Sequence, residues 1–411
     1  AVLVLAAPGC GRRESDDEVS LWHIHTDDPM KSVIGDAVGR FKTVHPDAEV
    51  SNVAIANDAY KTKLRSSVSN PPDLFMTWGG SVLADYARRE VAAELVEPAW
   101  RENIHPAALE LCSLDGHQYA VPLDVAVVGM WYNTEIFAEH NLTPPETFEE
   151  LLEACATLRR AGVTPIALGA SKKWPAAFYF IYCAARRGGR ELSDRAAALE
   201  PGVFASETFV EAGRDVQRLV AAGAFPEKFK TLENTDAYAM FFEGEAAMIL
   251  MGNWIVGNAR GHDEKLPEDA EAILPKMDVF AFPSLGSPEH DDVVLGGVNT
   301  GFALSTQAPE TAEDLLRALT DRTTAVDWLE RTGRLPARTD IDIAASNVPE
   351  PTAKAHAMLE GASAFQPYYD QFLPASLRQL HLDTVYDLFV GRLTPEEAAQ
   401  KMEQEAERVR E

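Results

Sequence analysis

Along the first part of the chain, β-prone apolar runs alternate with stretches in which apolar residues recur at helical spacing. A β-prone run from Val19 to His25 is followed by apolar residues at helical spacing between Val33 and Phe41. A second apolar run, Val50 to Ile55, precedes a helical stretch from Asp58 to Ser69, and a short strand, Leu74 to Thr77, follows. This alternation predicts right-handed βαβ units on a parallel sheet, with loops at the carboxyl ends of the strands available for a ligand.

Further along, a long apolar run extends from Tyr119 to Asn133. Its length predicts two consecutive extended segments or one long bent strand, and we expect the chain to cross between two lobes there. A second β-prone patch covers 293–304, and 241–251 changes from amphipathic to apolar. Loop-rich stretches cover 261–275 and 283–292. The remaining helical patterns lie at 148–161, 178–187, 209–222, 365–390 and 395–410.

Composition narrows the class of protein. Of 411 residues, 46% are apolar and 25% are charged, so the chain can bury sizeable cores, and its length favours two large lobes. The net charge of -27 comes from acidic residues spread along the chain. Such a charge repels nucleic acids and anionic membrane surfaces, so we expect no nucleic-acid partner. It indicates a solvated surface rather than a kind of ligand.

The first residues form a separate segment. Ala1 to Ala7 are an apolar run that stops at Pro8-Gly9-Cys10, and a polar tether extends to residue 18. This order is typical of a signal-peptide remnant, and the Cys after small residues resembles a bacterial lipobox in which Cys10 is acylated. The alternative is an accidental Cys in a cleaved secretory peptide. The other cysteines allow at most one disulfide and are expected to be buried free thiols: Cys112, Cys155 and Cys183.

No motif with a catalytic mechanism is present: the sequence lacks a dinucleotide-binding or Walker glycine loop, a nucleophile elbow and a zinc-protease helix motif. His23-x-His25 would place two imidazoles on one face of a strand, as a zinc pair requires. No third ligand is visible nearby, so structural or ligand-contacting histidines are the preferred interpretation. We therefore predict no metal and no cofactor. The 64 acidic residues offer no spacing that singles out a glycosidase pair.

Three tryptophans stand in turn-like contexts. Trp78 lies in TWGGS, Trp174 in SKKWPAA and Trp254 in LMGNWIVGN, where Gly, Pro and Asn indicate loops or element ends. Flat indoles near polar side chains suit the apolar faces and hydroxyl rims of sugars. For any one of them, the alternative is a half-buried packing residue. Trp22, Trp131 and Trp328 lie within regular patterns and are expected in the core.

From Val19 onward the chain resembles the extracellular solute-binding proteins of carbohydrate ABC importers, a group that includes maltose- and xylooligosaccharide-binding proteins. The segments that carry the resemblance are PPDLFMTWGGS, YAVPLDVAVVGMWYN, KKWPAAFY, FFEGEAAMILMGNW, VLGGVNTGFALS, GRLPAR, FQPYYDQFLP and LTPEEAAQKMEQ. The resemblance implies an α/β, two-lobed periplasmic-binding-protein-like (type II) fold with an interlobe cleft. It implies an N-lobe of 19–123 plus 286–333 and a C-lobe of 124–285 plus 334–411.

The resemblance also implies which residues bind the ligand. They are His25, Thr26 and Asp27 after the first strand; Trp78 and Gly79 in the N-lobe wall; Asp124 at the hinge; Trp174, Asn253 and Trp254 in the C-lobe; Gly297 and Asn299 in the returning strand; Arg338 after the last crossing; and Gln366, Tyr368 and Asp370. Two features depart from the family pattern. Asn253 stands where many relatives carry Asp, and histidines at positions 23 and 25 are not typical.

The function that the resemblance implies is capture of a di- to tetrasaccharide by lobe closure, without catalysis, and its delivery to the transmembrane permease of an ABC importer. We expect a monomer outside the cytoplasm, held at the outer face of the cytoplasmic membrane by a lipid on Cys10, or else periplasmic. Two alternatives remain open: a binding protein for a non-sugar solute such as a polyamine, peptide or anion, and a secreted carbohydrate-active enzyme.

Overall fold

The computed structural model describes residues 18–261 and 265–411, so the predicted lipidation site, Cys10, lies outside the described residues. The strands, in chain order, are β1 (Glu18–His23), β2 (Glu49–Ala54), β3 (Leu74–Thr77), β4 (Ser113–Leu114), β5 (His117–Gln118), β6 (Val121–Asn133), β7 (Thr164–Ala167), β8 (Ala246–Gly252), β9 (Met277–Phe280), β10 (Val293–Leu304), β11 (Leu335–Pro336) and β12 (Ala364–Gln366).

The helices surround these strands and account for most of the chain between them. They are α1 (Met30–Val44), α2 (Asn57–Ser66), α3 (Gly80–Arg88), α4 (Pro106–Leu111), α5 (Thr134–Glu139), α6 (Phe148–Arg160), α7 (Trp174–Ala197), α8 (Glu207–Ala221), α9 (Asn234–Phe242), α10 (Trp254–Arg260), α11 (Thr311–Thr320), α12 (Arg322–Thr332), α13 (Glu350–Glu360), α14 (Tyr369–Phe372), α15 (Ala375–Phe389) and α16 (Pro395–Arg410). Short 3-10 helices occur at Pro98–Arg101, Ala270–Lys276 and Pro288–His290.

The larger sheet has the strand order β2-β1-β3-β10-β6-β8-β7, and β9 and β11 also pair with β6 while β12 pairs with β10. Strand β1 runs parallel to both β2 and β3, as the βαβ prediction requires. Strand β10 lies antiparallel between β3 and β6, although it is far from both in sequence. The carboxyl ends of β1 and β3 therefore meet at one edge, where loops from different segments come together.

Strand β6 is one long strand rather than two, and it connects the two halves of the sheet. Residues from Val121 to Val127 pair with β10, whereas residues from Val128 to Asn133 pair with β8 and β9. Every residue of the strand except Tyr132 is buried. A strand buried on both faces shows no alternation, which is why the sequence pattern left its division open.

Three predicted elements differ in the structure. The helix predicted at 178–187 begins earlier, at Trp174, where Pro175 suits the first turn. The segment 241–251 divides at Gly244, whose φ of 75° ends α9 before β8 begins. The helix predicted over 365–390 was wrong at its start, because β12 and the short α14 precede α15 and prolines separate them.

The three cysteines of the described chain are buried and unpaired, as expected from the sequence. Burial raises the pKa of the Cys155 thiol to about 12 and raises those of Cys112 and Cys183 as well. These thiols are therefore inert packing groups. In the same part of the chain, none of the helices has both the length and the apolar character of a membrane span.

Candidate ligand-binding cleft

An open cleft of about 950 Å³, its solvent-open mouth included, lies beyond the carboxyl ends of β1 and β3. This volume falls within the roughly 300–1,000 Å³ that small-molecule sites occupy. Distant segments contribute the lining residues, which are Ile24, His25, Thr26, Asp27, Met30, Asn57, Lys61, Trp78, Trp174, Phe178, Asn234, Tyr238, Trp254, Asn258, Asn299, Arg334, Tyr368, Asp370 and Gln371.

One wall comes from the loops after β1 and β3 together with the start of α2. Trp78 immediately follows β3, and its ring meets that of Tyr60 edge-on at a centroid distance of 5.9 Å. The Lys61 ammonium lies 4.9 Å from the Trp78 ring centroid, within the range of a cation–π contact. These contacts hold the half-buried indole at the cleft surface, so one face or edge remains available to a ligand.

The opposite wall is aromatic and comes from the starts of α7 and α10, with Tyr368 ahead of α14. The Trp174 and Trp254 ring centroids lie 6.3 Å apart, and Phe178 and Tyr368 lie 5.2 Å apart. Trp254 donates its indole N–H to the Tyr238 hydroxyl at 2.9 Å. A fixed indole with its polar edge already hydrogen-bonded offers an apolar face, which suits a flat, partly apolar ligand.

Gly252 explains how Trp254 reaches its position. A Cβ built on this residue would lie 2.1 Å from the Trp254 indole, so the ring covers the end of β8 where only glycine leaves room. The aromatic wall therefore depends on the absence of a side chain two residues earlier.

The floor of the cleft is polar and rests on a buried carboxylate. Asp124 of β6 accepts hydrogen bonds from Asn299 Nδ2 at 3.0 Å and from the Trp328 indole N–H at 2.9 Å. Burial raises the pKa of Asp124, while Arg334 and these hydrogen bonds act in the opposite direction. Asp124 itself does not line the cleft, but it positions Asn299, which does. Its role is to orient the floor.

His23 and His25 are linked by a hydrogen bond, and His25 lines the cleft. The His25 backbone N–H donates to His23 Nδ1 at 3.1 Å, which leaves Nε2–H of His23 to donate to Asn52 Oδ1 at 2.7 Å. His25 Nε2 lies 3.2 Å from the Thr300 hydroxyl. Within the described ranges, no group of three or more His, Cys, Asp or Glu side chains is arranged to hold a metal ion.

Nine of the fifteen ligand residues expected from the sequence line this cleft: His25, Thr26, Asp27, Trp78, Trp174, Trp254, Asn299, Tyr368 and Asp370. Segments separated by more than 200 residues are thus brought to one surface. The other six lie outside it: Gly79, Asp124, Asn253, Gly297, Arg338 and Gln366. Asp124 has been described above, and the other five have local structural roles.

Three of these five are polar side chains that make hydrogen bonds within the protein. Asn253 Oδ1 accepts the Val127 backbone N–H at 3.0 Å, which fastens the end of β8 to β6. Arg338 forms a two-point ion pair with Asp340, with both N···O distances at 2.8 Å. Gln366 accepts from the Ser193 hydroxyl at 2.6 Å.

The two glycines permit close packing. A Cβ on Gly79, whose φ is +72°, would lie 2.5 Å from the Leu111 carbonyl oxygen. Gly297 is a strand residue of β10 paired with Ala126, and a Cβ there would meet the Tyr368 ring at 3.4 Å. Both residues shape the walls without offering a polar group to a ligand.

Sequence reasoning missed several lining residues that helical spacing would have identified. Residues four positions apart lie on the same face of a helix, so a lining residue at a helix start predicts a second one a turn later. Four such pairs line the cleft: Asn57 with Lys61, Trp174 with Phe178, Asn234 with Tyr238, and Trp254 with Asn258. Arg334 was also missed, although it stands in the same GRLPAR segment as Arg338.

Two other concavities have a different chemistry. A surface groove contains Lys354, which pairs with both Asp278 and Glu350, so its charges are matched internally. A small apolar cavity lies inside the protein beside His381, between α15 and α16. The groove has no aromatic ring in its lining, and the internal cavity is small and mostly apolar, so the cleft is the candidate functional site.

Comparison with known proteins identifies a family whose sequences resemble this chain. The profile of the family described as bacterial extracellular solute-binding protein matches residues 25–325. The Bacillus subtilis melibiose/raffinose/stachyose-binding protein MelE is 20% identical over 434 aligned residues, which cover 100% of this chain and 95% of that protein. Two uncharacterized ABC transporter extracellular-binding proteins of Pyrococcus horikoshii are each 26% identical, and the chain spans 64% and 52% of their lengths.

Solved structures agree with the fold. A protein studied for xylan utilization by the thermophilic bacterium Caldanaerobius polysaccharolyticus superimposes with a TM-score of 0.86 at 26% identity, covering 94% of this chain and 99% of that one. A chitin oligosaccharide binding protein superimposes with a TM-score of 0.84 at 22% identity, covering 95% and 98%. The two-lobed α/β architecture expected from the sequence is thereby confirmed.

The buried histidines make stability depend on pH. Burial lowers the pKa of His23 to about 4 and lowers that of His25 well below its ordinary value. As the pH is lowered from 6.5 to 5, the unfolded chain binds protons at these sites and the native state does not. The free energy of unfolding therefore decreases as the pH decreases. For His23 the fall is about 1.5 kcal/mol. Urea unfolding of His23→Gln should show a correspondingly smaller fall, and an unchanged pH dependence would contradict this assignment.

Proposed function

The chain belongs to the family of bacterial extracellular solute-binding proteins, and from that premise we propose that it captures an oligosaccharide of two to four sugar units in the cleft. It then delivers this ligand to the transmembrane permease of an ABC importer. The observation that carries the proposal is the convergence of three indoles, Trp78, Trp174 and Trp254, on one cleft with a polar floor. Sugar rings have apolar faces and hydroxyl rims that match this combination.

The names of relatives support the sugar class. MelE is a melibiose/raffinose/stachyose-binding protein, and a maltotriose-binding protein of Pyrococcus abyssi is 24% identical over 247 residues. The family is one of binding proteins, and we propose that this chain likewise binds its ligand without transforming it. Asp27 and Asp370 then serve as hydrogen-bond acceptors for hydroxyl groups rather than as an acid and a base.

Capture depends on contacts from both walls. The proposed N-lobe is 19–123 plus 286–333, and the proposed C-lobe is 124–285 plus 334–411. A ligand that touches Trp78 on one wall and Trp254 on the other makes more contacts when the walls approach, so it shifts the protein toward a closed state. Stacking on two or three rings with several hydrogen bonds is compatible with micromolar affinity, about 8 kcal/mol.

The proposed setting is extracytoplasmic. Residue Cys10, in its lipobox-like context, is proposed to carry a lipid that holds the chain at the outer face of the cytoplasmic membrane. We propose that the protein acts as a monomer whose partners are the sugar and the permease subunits, with no cofactor.

A ligand screen tests the sugar class. The protein is heated with xylo-, malto-, cello- and chito-oligosaccharides, with raffinose and stachyose, and with monosaccharide, polyamine and peptide controls. A ligand present at about 100 times its Kd adds about 2.7 kcal/mol to the free energy of unfolding. The melting temperature should then rise by roughly 3 °C or more with one oligosaccharide series. Stabilisation by a non-sugar control alone would contradict the proposal, and release of smaller sugars during incubation would indicate an enzyme.

A pair of tryptophan variants tests the location of the site. Trp254→Ala removes a cleft face and should weaken binding of the stabilising sugar about tenfold or more in titration calorimetry. Trp22→Ala is the matched control, because Trp22 is also half-buried but lies outside the cleft, beneath the Lys63 ammonium at 4.0 Å. It should leave the affinity unchanged. Equal losses in both variants, or none in Trp254→Ala, would place the sugar elsewhere.

A further inference from the structure

Arg334 is a buried cation on the cleft floor whose hydrogen-bonding groups are largely unused. Its residue is 6% exposed, and it lines the cleft. Within the described part of the chain, its Nε has no hydrogen-bond partner, and Nη2 makes one long contact, 3.4 Å to Asn258 Oδ1. A buried guanidinium is costly unless its five N–H groups are satisfied and its charge is compensated.

The side chain is held in this position by its neighbours. Gly333 ends α12 in the left-handed conformation, with φ of 68°, and turns the chain toward the cleft. A Cβ on Gly333 would lie 2.5 Å from a Val256 methyl group, so this turn requires glycine. The Arg334 guanidinium then lies 5.8 Å from the ring centroid of Trp328, which in turn donates to Asp124. The turn at Gly333 and the Trp328 ring therefore hold the guanidinium in place at the cleft floor.

The other charged groups of the cleft make their contacts with partners other than Arg334. On the opposite wall, Lys61 lies over Trp78. Burial raises the pKa of Asp370, and the positive charge of Lys61 partly opposes this shift. Asp27 accepts the Thr26 hydroxyl at 2.7 Å. No carboxylate oxygen in residues 18–261 and 265–411 lies within 4.0 Å of an Arg334 nitrogen.

Asp124 is the nearest source of compensation, and it is incomplete. Its negative charge raises the pKa of Arg334, while burial lowers it. The carboxylate nevertheless stays beyond ion-pair distance. Its Oδ2 accepts from Asn299 and Trp328, and its buried Oδ1 has no hydrogen-bond partner among the described residues. Asp124 thus reduces the cost of the buried cation but accepts none of its N–H groups. A ligand group that accepts two parallel hydrogen bonds and carries a negative charge would satisfy both requirements.

We propose that the oligosaccharide bound by this protein carries a carboxylate, as a uronic acid does, and that Arg334 binds that carboxylate at the floor of the cleft. This inference rests on the proposed function, since it narrows the sugar class of the same site. A neutral hydroxyl accepts from the guanidinium one N–H at a time and leaves the charge uncompensated, whereas a carboxylate matches the planar fork of donors. The aromatic wall remains available to the ring faces.

Neutral sugars paired with acidic counterparts, in which CH2OH groups are oxidised to carboxylates or one sugar unit is replaced by a uronic acid, test the inference by titration calorimetry on the whole chain. The pairs are galactobiose against digalacturonate, cellobiose against cellobiouronate, and xylotetraose against a glucuronosyl-xylotriose. For the pair that fits the cleft, the acidic member should bind at least about tenfold more tightly. The methyl ester of the same acid removes the charge and should abolish that preference in the wild-type protein.

Two arginine variants locate the contact. Arg334→Gln should reduce the preference for the acidic sugar to about threefold or less. Arg338→Gln is the control from the same segment, since Arg338 pairs with Asp340 outside the cleft, and it should keep the full preference. If Arg334→Gln does not fold, the ester comparison decides alone.

The outcomes separate the two proposals. Equal or tighter binding of the neutral sugars would overturn the carboxylate inference and leave oligosaccharide capture standing. An acidic preference that survives esterification or persists in Arg334→Gln would also overturn it, because the recognition would not be the charge contact proposed. Failure of every neutral and acidic sugar to bind would contradict the proposed function, and this inference with it.

Discussion

The buried carboxylate of Asp124 is the point on which the arrangement of the cleft depends. It lies on β6, accepts from Asn299 of β10 and from Trp328 of α12, and its backbone pairs with Pro336 of β11. Burying a charged carboxyl costs several kcal/mol unless donors satisfy it, so these segments cannot shift independently. Strands β6 and β10 extend into both halves of the sheet. The positions of the two cleft walls therefore both depend on the contacts of Asp124.

Because of this constraint, the residues that fix the shape of the cleft differ from the residues that can contact a ligand. Groups below the surface, such as Asp124 and His23, form hydrogen bonds with neighbouring protein groups and so fix the floor. Groups at the surface retain free faces or donors, and these are the indoles and Arg334. A binding protein needs this separation, because a preorganised site loses less conformational freedom when the ligand arrives. Two glycines contribute to this preorganisation. Gly252 leaves room for the Trp254 ring, and Gly333 turns the chain so that Arg334 faces the cleft.

Long periodic elements could be predicted from the sequence, and contacts between distant segments could not. Helices α6 and α16 begin at capping boxes on Thr147 and Thr394 and match their predicted ranges closely, because these signals are local. The antiparallel placement of β10 between β3 and β6 depends on pairing across long stretches of chain, which carries no local pattern. Family resemblance predicted the three cleft tryptophans and Arg338 but did not identify Arg334, whose position in the cleft follows the turn at Gly333. The lobe boundaries stay predictions.

The most direct test of ligand capture between the two walls is a crystal structure of the protein grown with the oligosaccharide that stabilises it. Capture between two lobes predicts electron density for the sugar in the cleft, with ring faces against Trp254 and Trp174 on one wall and Trp78 on the other. Polar groups of the sugar should lie at Asn299 and Arg334. A sugar bound in the surface groove beside Lys354, or contacts confined to one wall of the cleft, would contradict capture between two lobes.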